Sequence, residues 1–241
     1  KIAEGTMFAE TALQHRPNDN GMRFIYTLHL LNGQQYEKAE KIADPGWRVV
    51  ALSLLGRTEE AEILGRELAS KGEDFGALVN FLGRGEQFEE LIEFVESRWP
   101  DLDAWEQDFP NRGGFGNNEM ALIAHAYQNV GNVARFEDAM SRLKASLEHQ
   151  RSEGADNYLI MLSEAFYYML AGNEELALTR LEQAANSGWI PFNPRLAAGL
   201  PVLKQIEGNP RFEAIQQQLI DRVNAERTEL DLKPVELDRT L

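Results

Sequence analysis

The chain has 241 residues, 26% of them charged and 43% hydrophobic, a balance that suits a folded protein rather than a disordered one. A net charge of −15 argues against a nucleic-acid backbone or an anionic membrane surface as the direct partner. The absence of cysteine removes thiolate catalysis, disulfides and thiolate metal sites, and it leaves periplasm and cytoplasm both open.

Residues Ile2 to His15 read as a helix that ends at Arg16-Pro17-Asn18-Asp19. The chain begins at Lys1 and runs straight into this helix, so it reads as the second helix of a pair. On that basis the sequence is expected to be the C-terminal region of a larger protein. Met22 to Leu31 forms the next helix, Gly33 turns the chain into Tyr36 to Ala43, and Asp44-Pro45-Gly46 breaks it again. Trp47 to Leu55 and a helix carrying Ala61, Ile63, Leu64 and Leu68 follow, with Thr58 as the expected N-cap. Phe75, Leu78, Val79 and Leu82 recur at helical spacing, as do Phe88, Leu91, Ile92 and Val95.

Residues 101–118 form the least regular stretch and are expected to be an irregular connector. Order resumes with Met120, Ile123, Ala124 and Tyr127, whose partner helix holds Phe136, Ala139, Leu143 and Leu147. Tyr158, Met161, Leu162, Ala165 and Tyr168 then pair with Leu176, Ala177, Leu181 and Ala184. Short pieces follow over Leu196 to Leu200 and Val202 to Ile206. Asn209 and Pro210 open a last helix with Phe212, Ile215, Leu219 and Val223 inward, the expected capping helix. Residues 1–230 thus read as one helical-repeat domain, and 231–241 as a polar, frayed tail.

A turn recurs between these helices, most cleanly as Gly56-Arg57-Thr58-Glu59-Glu60-Ala61 and Gly172-Asn173-Glu174-Glu175-Leu176-Ala177. Looser versions start at Gly33, Gly85 and Gly131. Such recurrence predicts an all-α array in which each unit buries its apolar faces against its neighbours. Tyr158 to Ala184, with Met161, Ala165, Tyr168, Gly172, Ala177, Leu181 and Ala184, resembles the tetratricopeptide repeat family. This resemblance implies an α-α superhelix, a tetratricopeptide-like solenoid with a C-terminal capping helix. The spacing between second helices is uneven, and Glu164 stands where that family usually places Leu. Another helical-repeat type therefore stays open. A shorter likeness, in Ala171-Gly172-Asn173, Ser187-Gly188-Trp189 and Gly208-Asn209-Pro210-Arg211-Phe212, is similar to the closing segment of repeat regions in bacterial signalling proteins. In these the effector is a winged-helix transcriptional regulator or a nucleotide cyclase.

Chemical motifs are sparse. The histidines, His15, His29, His125 and His149, lack the i+3 or i+4 partner that a metal pair needs. The acidic run Asp101, Asp103, Glu106, Asp108 fails as a calcium loop, because its fifth, sixth and twelfth positions are Trp105, Glu106 and Arg112. Gly113-Gly114-Phe115-Gly116 lacks the Gly-Lys-Ser/Thr of a phosphate loop and is expected to be a flexible linker. No catalytic residue, metal ligand or cofactor is assigned.

The resemblance implies a non-catalytic interaction or sensory module that binds a protein or peptide in a concave groove or at the first repeat. The groove would be lined by Asn80, His125, Gln128, Leu162, Phe166 and Met169. An ordinary solvent-facing stripe for the polar residues, or packing against the next helix for the apolar ones, stays open beside it. No direct nucleic-acid or membrane contact is expected. The alternative role is a stand-alone scaffold in an envelope or secretion assembly.

Overall fold

A computed structural model describes residues 2–108, 113–193 and 195–235, and these are all-helical. The described residues divide into two compact units, one of 2–81, 190–193, 195–199 and 216–235, the other of 82–108, 113–189 and 200–215.

In the first unit, α1 (Ile2–His15), α2 (Asn20–Asn32), α3 (Tyr36–Ile42), α4 (Pro45–Leu54) and α5 (Thr58–Ser70) pack each against the next. Asp19 and Asp44 start α2 and α4 by accepting from the backbone N–H of Met22 (3.0 Å) and Trp47 (3.2 Å). Pro45, read as a breaker, sits at the first helical position, where its missing N–H costs nothing. The core joins Ala9 of α1 to Tyr26, Leu30 and Leu31 of α2, Ala39 of α3 and Ala51 of α4. Trp47 extends it, with its ring 5.8 Å from both Phe24 and Phe192. Most of α6 (Phe75–Arg84) also belongs here.

The second unit holds α7 (Phe88–Arg98), α8 (Leu102–Asp108), α9 (Gly113–Asn129), α10 (Val133–Ser152), α11 (Tyr158–Leu170) and α12 (Glu174–Asn186). α9 packs on α7, α10 and α11, and α11 packs on α10 and α12. After the short α13 (Leu196–Gly199), a 3-10 helix (Pro201–Ile206) lies against α11, and α14 (Pro210–Glu229) follows. The start of α14 explains the Gly208-Asn209-Pro210-Arg211-Phe212 motif. Gly208 supplies a φ of +82°, Asn209 caps, and Phe212 is buried. Arg211 fastens the helix to α12 through Glu182 (3.0 and 2.9 Å) and Glu175 (2.7 Å).

The recurring turn has a single geometry. Gly56, Gly131 and Gly172 adopt φ of +73°, +76° and +73°, and the next N–H bonds back to the helix just ended, as from Asn173 to Tyr168 O (2.8 Å). This left-handed stop satisfies the orphan carbonyls of the first helix. In the looser copies at Gly33 and Gly85 the left-handed residue is not the glycine. Gln34 (φ 55°) and Glu86 (φ 57°) take the position, one place after Gly33 and Gly85.

Several expectations need correction. The supposed connector 101–118 is largely helical: α8 buries Leu102 and Trp105, and α9 begins at Gly113, inside the expected glycine linker. Every acid of the run there has a structural task. Asp101 caps α8 at Ala104 N (2.9 Å), Asp103 and Glu106 each meet Arg142 at 2.7 Å, and Asp108 accepts from the Trp99 indole (2.7 Å). Thr58 is the first residue of α5 rather than its cap, which is Arg57. Ile63, Tyr158 and Leu176, counted among the apolar residues that mark their helices, are exposed. The tail is described as far as Val235, which is hydrogen-bonded to α14.

Candidate functional site

Three of the six expected groove residues, Leu162, Phe166 and Met169, share α11 and are all buried. Nine of the thirteen residues of α11 are buried, so the helix is covered on most sides and offers no apolar strip to solvent. Phe166, Arg84, Asn118, Leu122 and Val202 border a cavity of about 10 Å³, room for one water rather than a side chain. Burial there pushes the Arg84 guanidinium down to about 10.

His125 and Gln128 lie on α9, which packs on α11. From Met120 to Tyr127 this helix is buried at every position, so His125 is interior as well. The imidazole meets the Phe88 ring edge-on at 5.1 Å, and its Nδ1 has no hydrogen-bond partner among the described residues. Burial, which penalises the imidazolium, holds its pKa below the ordinary value. Gln128 is exposed, alone among the six. Asn80 belongs to the other unit, where it is half-buried and donates back to Gly76 O in its own helix (2.9 Å).

What replaces a groove is a polar lattice between α9, α10, α11 and α12. Ser146 donates to Asn117 Oδ1 (2.7 Å), and Ser163 to Asn118 Oδ1 (3.0 Å). Glu164 accepts from Arg151 Nε and Nη2 (both 2.8 Å) and meets Arg180 Nε at 2.9 Å. The residue that departs from the repeat pattern thus ties three helices together.

No family model, curated protein or solved structure matches the chain.

Outside the lattice, the largest apolar side chains left in solvent on one element are Met7 and Phe8, 60% and 68% exposed. On α1 the buried positions are Ile2, Ala3, Thr6 and Ala9, one helical stripe. Glu4, Met7, Phe8 and Thr11 occupy the opposite, exposed side. The signal was present in the sequence as two large apolar residues out of phase with that stripe. Among the described residues no group of three or more His, Asp or Glu could hold a metal ion, and no helix is long and apolar enough to cross a membrane.

Proposed function

We propose that this chain is a non-catalytic protein-interaction module, an irregular α-α superhelix of tetratricopeptide-like hairpins closed by α14, serving a larger bacterial regulator. The shared left-handed turn and the neighbour-to-neighbour packing support the repeat architecture. The Asn209 to Phe212 segment supports the likeness to the closing part of regulator repeat regions, since its residues start and fasten α14.

One observation carries the binding role: Met7 and Phe8 stand in solvent on α1 while the expected groove residues of α11 are buried. The partner is a protein segment with an apolar anchor for Phe8 and a basic flank. The net charge of −15 selects that flank. Neither nucleic acid nor membrane is proposed as a direct contact.

A photo-crosslinking residue placed at Phe8, with Gln128 as the comparison site, identifies the partner in cells, and the purified partner is then titrated. The double substitution Met7→Ala/Phe8→Ala is expected to weaken binding at least tenfold, as loss of a central apolar anchor does. Crosslinking from Gln128 alone, or unchanged affinity in the double variant, would move the interface to another face. The upstream gene sequence tests the regulator: a winged-helix or cyclase domain there supports it, and a lipoprotein signal there overturns it.

A further inference from the structure

Beyond α14 the chain doubles back on the helix it has just left. Asn224 Nδ2 donates to Val235 O (3.0 Å), and Asn224 Oδ1 accepts from Val235 N–H (2.7 Å). Arg227 Nε donates to Lys233 O (2.7 Å). All three bonds end on main-chain atoms. A primary amide presents one donor and one acceptor side by side, the complement of the N–H and C=O of a single residue. Asn224 therefore reads a peptide backbone, whatever side chain that residue carries.

The groups that do the reading are held in place. The other end of the Arg227 guanidinium donates to Gly33 O and, at 3.3 Å, to Gln34 O, at the turn that ends α2. A cation there also meets the negative end of the α2 dipole. The segment itself is pre-shaped. Pro234 fixes its own φ, carries no N–H that would need a partner, and biases Lys233 towards extended backbone. Lys233 and Pro234 are exposed, and Leu232 and Val235 half-buried, so the hold is mainly through the backbone.

We propose that Asn224 and Arg227 form a binding site for an extended peptide of the pattern x-Pro-x, occupied in cis by residues 233–235 and open to exchange with such a peptide in trans. This site is separate from the α1 face and does not rest on it. Tethering gives the tail a local concentration of about 1 mM, so for an intrinsic Kd of about 0.1 mM a competing peptide binds the intact chain about tenfold more weakly than the vacated site allows.

The probe is a fluorescein-labelled peptide of residues 230–241, titrated into the full chain. In Val235→Pro the tail loses the N–H that Asn224 reads, and the probe is expected to bind about tenfold more tightly than to the unaltered chain. Adding Asn224→Ala to that variant is expected to weaken the probe at least tenfold. A probe that itself carries proline in place of Val235 should not bind. Amide exchange at Val235 in the full chain is the second readout: Asn224→Ala accelerates it, with helicity checked by circular dichroism. Equal probe affinity with and without Val235→Pro, insensitivity to Asn224→Ala, or unchanged exchange at Val235 would each overturn the proposal. Met7→Ala/Phe8→Ala should leave probe binding intact, so failure at one site is distinguishable from failure at the other.

Discussion

Replacing Glu164 tests whether the polar lattice, rather than apolar burial alone, holds the second unit together. Its carboxylate accepts two bonds from Arg151 and meets Arg180, while its side chain is only 10% exposed. A charge-assisted bond is worth about 1.5–3 kcal/mol net, and breaking a fully buried ion pair costs about 3–5 kcal/mol. The two arginines are 28% and 29% exposed, and Arg151 keeps Asp156 (2.8 Å) and Ala155 O (3.0 Å), so both guanidinia can recover part of the loss. Glu164→Ala should therefore cost about 2–3 kcal/mol, and Glu164→Gln, which keeps an acceptor and the shape, about 1–2 kcal/mol. Urea unfolding followed by tryptophan fluorescence suits the measurement, because Trp99, Trp105 and Trp189 all lie in this unit. A double-mutant cycle of Glu164 with Arg151 should return a coupling of about 1–2 kcal/mol. Replacing all three charges, as Glu164→Leu/Arg151→Met/Arg180→Met, should restore stability to within about 1 kcal/mol of the original. A Glu164→Gln variant indistinguishable from the parent, together with zero coupling to Arg151, would refute the reasoning.

Other substitutions probe the backbone and the buried histidines. A Cβ added at Gly5 would lie 2.3 Å from the His29 ring, so Gly5→Ala should cost about 1–3 kcal/mol, with much of it recovered in Gly5→Ala/His29→Ala; equal melting temperatures for the parent and Gly5→Ala would disprove the clash. At Gly56 and Gly172 no atom lies within 4 Å of an added Cβ, so Gly→Ala there isolates the left-handed strain, about 1–2 kcal/mol each by thermal melting. Burial lowers the pKa of His29 and His125 below 6.5, so the unfolded chain takes up protons first as pH falls. Their contribution is complete above pH 6.5 and is lost as pH drops through the lower folded-state values. His125→Leu should flatten the loss of urea resistance between about pH 6.5 and 5, and an unaltered slope would show that His125 does not titrate with folding.

Face spacing was the legible part of the fold. Met120, Ile123, Ala124 and Tyr127 are all buried as their periodicity predicts, and so are Phe212, Ile215, Leu219 and Val223. The seven-residue α8 is not legible in the sequence because two apolar anchors, Leu102 and Trp105, make too short a period to stand out among four acids. Gln34 and Glu86 were opaque for another reason: where a glycine stands one residue earlier, the sequence points to the wrong left-handed position. His125 is interior because its helix has no solvent face over this stretch. The run Met120-Ala121-Leu122-Ile123-Ala124-His125-Ala126-Tyr127 is apolar nearly all round, the mark of a helix enclosed on every side. The bonds that replace a groove on α11 join residues from 13 to 45 positions apart, and no local pattern encodes such pairs.

Glu164 also bears on how such a chain can change over time. A pattern that judges positions one at a time counts Glu164 as an error, and it gives Arg151 and Arg180 no weight. Chemically the three are one unit: placing Leu at 164 alone would leave Arg180 without this carboxylate and Arg151 with only Asp156 and Ala155 O, whereas losing both arginines first would strand a carboxylate. Either change alone costs about 2–3 kcal/mol, so the three positions act on stability as one unit. The helix pair that most resembles the tetratricopeptide pattern is thus the one least able to accept that pattern's Leu on its own.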